Sequence, residues 1–82
     1  MEIKYLEEIV RPLLVNPEDL KVEKKIDERG ILLTIFINPI DVGIIIGHSG
    51  GTIQAIRHII RQYGMAHQAR ISVIINDPKK NW

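Results

Sequence analysis

Val42-Gly43-Ile44-Ile45-Ile46-Gly47-His48-Ser49-Gly50-Gly51-Thr52-Ile53 decides the fold of this chain. An apolar run meets a four-residue loop bounded by glycines, and a strongly amphipathic segment follows. Gly47 and Gly50 permit backbone conformations that other residues adopt only at a cost. They also let a second backbone, or a phosphate chain, approach closely. The stretch reads as helix, tight loop, helix. The N–H groups of Gly50, Gly51 and Thr52 would open the second helix, where unsatisfied donors and the positive dipole end suit phosphate. A plain turn between packed helices needs one glycine, whereas here two bracket a polar pair.

Working back from this loop, Asn38-Pro39 is a helix start, with Asn as N-cap and Pro at the first helical position. The preceding Ile31–Ile37 is apolar and β-branched at nearly every residue, which predicts a central strand. Asp27-Glu28-Arg29-Gly30 is its hairpin turn, with Gly30 at positive φ. Before it, Leu20, Val22 and Ile26 alternate with charged residues, as in a half-exposed edge strand. Asn16-Pro17-Glu18-Asp19 reads as a turn. Ile3, Leu6, Ile9, Val10, Leu13 and Leu14 share one helical face, and Pro12 should kink or end that helix.

Working forward, Ile53, Ile56, Ile59, Ile60 and Tyr63 form an apolar stripe opposite Gln54, Arg57, His58 and Arg61. Gly64 is placed to end this helix. Ile71, Val73 and Ile75 form a last strand, with Ser72 and Ile74 on its other face. Residues 1–76 read as a single domain and residues 77–82 as a flexible C-terminal tail. The fold class is α+β in the order α-β-β-α-α-β, a three-stranded sheet covered on one face by three helices. A right-handed crossover through the helix pair would set the last strand beside the central one.

At 82 residues the chain cannot enclose a large active-site cavity. It has no cysteine, so no disulfide or thiolate metal site is expected. No apolar run reaches the roughly 20 residues that span a bilayer, and the acidic first turns are unlike a signal peptide. The expectation is a soluble cytoplasmic protein. The formal net charge is only +1, but it is unevenly spread. Residues 1–41 hold nine acids against six Lys or Arg, whereas residues 42–76 hold no acid. That acid-free span carries Arg57, Arg61, Arg70, His48, His58 and His67. It would set a positive local field around the glycine loop.

Enzymatic readings fit poorly. Gly47-His48-Ser49-Gly50-Gly51 matches G-x-S-x-G, but that motif needs a preceding strand, then an acid and a His in chain order. After Ser49 the one acid is Asp77, which follows every histidine. No dinucleotide or P-loop glycine spacing occurs. The histidines stand ten and nine residues apart with no carboxylate near them, so no metal site is expected. The chain therefore reads as not an enzyme, with no cofactor.

Ile45-Ile46-Gly47-His48-Ser49-Gly50-Gly51-Thr52-Ile53 resembles the I-I-G-x-x-G-x-x-I signature of KH domains. The deduced element order is similar to the bacterial type II arrangement. Across roughly residues 3–76 the chain resembles the small single-KH proteins of the KhpA family, including at Asn16-Pro17-Glu18 and Pro39-Ile40-Asp41-Val42-Gly43. The resemblance implies single-stranded RNA as partner, with a GXXG loop clamping about four nucleotides of backbone. Carried over, that loop is Gly47, His48, Ser49 and Gly50, continued by Gly51 and Thr52. Val42, Ile45, Ile46, Ile53 and Ile56 would line a base groove with a strand edge. KH loops commonly carry Lys or Arg where this chain has His48, Ser49 and Gly51. Affinity would then rest on Arg57, Arg61 and Arg70, and would rise at acid pH if His48 supplies the missing cation.

Two functions remain open on the sequence. One is an RNA-binding module that acts on transcripts as a chaperone or post-transcriptional regulator. The other is a protein-interaction module on a KH scaffold with weak or no RNA binding. The central strand supports the second: if Ile31, Leu33, Ile35 and Ile37 face the helices, Leu32 and Phe36 face outward. The resemblance also implies a homodimer and a heteromeric KH-domain partner.

Overall fold

Pro12 ends the first helix as its missing donor requires. The computed structural model describes residues 2–77 and 80–81. Helix α1 spans Glu2–Val10, and a single 3-10 turn over Arg11–Leu13 follows. A second such turn, Pro17–Asp19, leads into strand β1, Lys21–Asp27, and strand β2, Gly30–Phe36. Helices α2, Pro39–Ile46, and α3, Gly51–Ala66, precede strand β3, Ile71–Asp77. The order is the expected α-β-β-α-α-β, an arrangement consistent with a type II KH fold.

β2 is central. It pairs antiparallel with β1, Val22 opposite Ile35, and parallel with β3, Leu33 opposite Val73. The hairpin pairs Asp27 with Gly30, whose φ of 122° answers the expected positive value. A side chain at Gly30 would also collide with the Arg70 carbonyl. One detail was not expected: strand β4, Lys80–Asn81, pairs antiparallel with Asn76 and Asp77. Pro78, Lys79 and Trp82 of the expected tail lie outside the described residues.

The three helices bury one face of the sheet. Leu6 and Val10 of α1, Ile45 of α2 and Ile53, Ile56 and Ile60 of α3 meet Val22, Leu33, Ile35, Ile71, Val73 and Ile75. Period 3.6 in the helices and period 2 in the strands produce this core. Ile26 departs from the strand pattern: it sits beside the hairpin and is 68% exposed. On the sheet's other face Leu32, Thr34, Phe36 and Ile74 are half-buried. Lys24 pairs with Glu2 across β1 and α1, and its hydrogen bond holds the Glu2 carboxyl below the usual carboxylate range.

Gly64 does not end α3, a correction to the sequence reading. The helix runs on to Ala66, and Gly64 is buried within it. A Cβ there would lie 2.6 Å from the Ala69 carbonyl and 3.1 Å from Ile71 Cγ1. The glycine lets the returning chain cross the helix closely. The helix closes instead on Ala69 N–H to Gly64 O, 2.7 Å, and Gln68 N–H to Met65 O, 3.2 Å. This is a Schellman turn with Gln68, at φ 56°, in the place glycine usually takes.

Candidate functional site

The glycine loop is held by a chain of local and distant hydrogen bonds. Asn38 caps α2 through Oδ1, which accepts from Ile40 N–H at 2.9 Å. Its Nδ2 donates to Asp19 Oδ2 at 2.9 Å. Asp41, in the first turn of α2, is fully buried. Its two carboxylate oxygens accept from Val15 N–H and Asn16 N–H, each at 2.9 Å. The start of α2 is thereby tied to residues 15–19. Its end is set by Gly47, at φ 75°, whose N–H donates to Gly43 O at 2.9 Å. A side chain on Gly47 would collide with Thr52, so α2 and α3 can approach this closely only at glycine.

His48–Gly50 forms one 3-10 turn. Ser49 takes φ 54°, ψ 29° and Gly50 takes φ 78°, both left-handed. For Ser49 that conformation costs roughly 1–2 kcal/mol. Strain of this kind concentrates at functional positions. The turn leaves His48 and Ser49 exposed and Gly50 buried. It also corrects the expected set of free donors. Gly50 N–H donates to Gly47 O at 3.3 Å, and Gly51 N–H donates to His48 O. Of the three donors expected, only Thr52 N–H is not engaged by these two bonds. The exposed loop atoms offered to a ligand are chiefly the His48 and Ser49 side chains.

A groove of about 850 Å³ runs beside α3. Arg57, Arg61 and Met65, spaced every four residues on one helical face, form one wall. Gln68 to Ile74 form the other. Arg57 begins about 9 Å along the helix from Gly51, on a rise of 1.5 Å per residue. Ile31 N–H donates to Arg70 O at 2.8 Å. That bond turns the even-numbered peptides of β3 toward β2, and alternation turns Ile71 and Val73 peptides toward the groove. Arg57 Nε donates to Val73 O there, at 2.9 Å. Among the described residues no ion pair engages Arg57, Arg61 or Arg70.

The structure thus brings the three arginines to one groove, at the far end of whose helix the glycine loop sits. It does not bring the expected apolar lining there. Ile45 and Ile53 expose nothing and Ile56 exposes 2%, because their phase points them into the core beneath the loop. Val42 and Ile46 are half-buried. The exposed apolar surface of the groove comes instead from Met65, 65% exposed, while β3 lines it along its edge, with Ile71 and Val73 themselves buried. The signal for Met65 was its spacing from Arg57 and Arg61. Among the described residues no three His, Cys, Asp or Glu side chains gather to hold a metal ion. No described helix is long and apolar enough to cross a membrane.

Residues 3–75 match the KhpA/KhpB KH-domain family. The chain is 32% identical over 69 residues to the RNA-binding protein KhpA of Leifsonia xyli subsp. xyli, covering 84% of this chain and 91% of that protein. It is 32% identical over 75 residues to the RNA-binding protein KhpA of Mycobacterium leprae, covering 92% of each. It is 33% identical over 69 residues to the protein of that name in Lactiplantibacillus plantarum, covering 84% of this chain and 81% of that one. No solved structure matches the chain.

Proposed function

Because the chain belongs to the KhpA/KhpB family of KH domains, we propose that it binds single-stranded RNA without catalysis. The backbone would cross the Gly47–Gly50 loop, and bases would enter the groove between α3 and β3. The observation that carries this reading is the lie of loop and groove along one helix: the exposed His48 and Ser49 precede α3, and Arg57, Arg61 and Arg70 line its groove. Relatives of this chain bear the name RNA-binding protein. Its work on transcripts would be that of a chaperone or post-transcriptional regulator.

Binding should weaken with salt, because arginine–phosphate contacts release counterions. With about two or three phosphates neutralised, the log–log slope for a short unstructured RNA should lie near −1.4 to −2.1. Fluorescence anisotropy across a salt series measures it. A flat dependence would remove the arginines from phosphate binding.

A second reading, pairing with protein, rests on the sheet face that none of the described helices covers. Leu32, Phe36 and Ile74 lie there half-buried, and a second copy or another KH domain would cover them. Sedimentation at tens of micromolar should show a dimer for wild type and a monomer for Phe36→Glu. A monomer for both, with the variant folded, rules out self-association through this face.

A further inference from the structure

We infer that Arg57 reads the base: it selects bases with two adjacent acceptors on one edge, namely cytosine through O2 and N3 or guanine through O6 and N7. The inference rests on RNA occupying the groove as proposed above. Among the described residues, Arg57 alone of the three groove arginines is anchored. Its Nε donates to Val73 O at 2.9 Å in a partly buried contact, whereas Arg61 and Arg70 are exposed. Among the described residues no acceptor engages either Nη of Arg57.

A guanidinium can grip a pair of acceptors side-on, through Nε and one Nη, or end-on, through both Nη atoms. The bond to Val73 O consumes the side-on mode. What remains is an end-on fork, held at the strand edge and lining the groove. Such a fixed fork loses little entropy on binding, which distinguishes it from a lysine in the same place. Cytosine and guanine each offer two neighbouring acceptors to it. Uracil puts its N3–H donor between O2 and O4, and adenine places its N6 amine beside N1 and N7. Both present a donor to a donor, which leaves a buried polar group unmatched. Arg61 and Arg70, both exposed, serve phosphates of any sequence.

Short cytidine-only, uridine-only and adenosine-only RNAs, and one alternating uridine and guanosine, provide the test in an anisotropy competition. Wild type should prefer the cytidine RNA and the alternating RNA over the other two by roughly tenfold to a hundredfold. Arg57→Lys keeps the charge but not the fork, and its selectivity ratio should fall close to one. Thermal melting of the variant checks that it is folded. Equal binding of all four RNAs by wild type overturns the inference and leaves RNA binding standing. Selectivity that survives in Arg57→Lys also overturns it. Failure to bind any of the four overturns the RNA-binding reading beneath it.

Discussion

Asp41→Ala should destabilise the protein by about 2–4 kcal/mol. Two backbone donors, Val15 N–H and Asn16 N–H, lose a charged acceptor at 2.9 Å each. A hydrogen bond to a charged group contributes about 1.5–3 kcal/mol, and a donor left buried without a partner adds its own cost. Partial burial of these two donors places the sum at the lower end of that range. Small domains have only about 5–15 kcal/mol in total, so the loss is a large share. It corresponds to a fall in Tm of roughly 10–25 °C for a domain of this size. Asp41→Asn keeps one acceptor oxygen and should lose about half as much. Urea unfolding of the three proteins measures the series. A loss below about 0.5 kcal/mol in Asp41→Ala would mean that residues 15–19 hold their position without the carboxylate.

Asp41 also marks the boundary of what its sequence neighbourhood could say. Asn38-Pro39 announced a helix start because capping is local: donor and acceptor stand two residues apart. The Asp41 carboxylate takes its partners 26 and 25 residues away, and no spacing along the chain reports that. Gly64 misled for the same reason. A glycine near the end of an amphipathic helix suggests a cap, but this one makes room for Ala69 and Ile71 returning over the helix. The alternation of Ile71, Val73 and Ile75 correctly placed β3 in the core, and their isolated β-branched pattern left little alternative.

At the site, the glycine spacing was legible and the apolar lining was not. Gly47 and Gly50 take the positive φ values that their isolation between helices suggested. Ile45 and Ile53 belong to the same apolar run as the loop, but three-dimensional phase sends them into the core. Arg57, Arg61 and Arg70 were visible as charge in an acid-free span. Their convergence on one groove depends on β3 lying parallel to β2, with its odd-numbered peptides turned outward. The expected free N–H groups failed at Gly50 and Gly51 because a 3-10 turn closes within three residues and uses them itself.

If Gly47–Gly50 clamps the phosphates, replacing both His48 and Ser49 by aspartate should weaken RNA binding and leave the fold intact. Both side chains are exposed and belong to no apolar stripe, so stability should move by no more than about 0.5 kcal/mol. Aspartate tolerates the left-handed conformation that Ser49 holds. Two acids before α3 also suit its N-terminus. Binding should behave oppositely. Two carboxylates would stand where a phosphate must pass, and each like-charge contact at about 4 Å costs about 1 kcal/mol even in water. The combined loss is roughly thirtyfold in affinity or more. Circular dichroism and thermal melting establish that the double variant is folded, and fluorescence anisotropy on a short unstructured RNA reads binding. The expected result is a folded protein whose RNA affinity is weaker than wild type by roughly thirtyfold or more. A folded double variant that binds as tightly as wild type would contradict it, and the pairing face on the open side of the sheet would then carry the function.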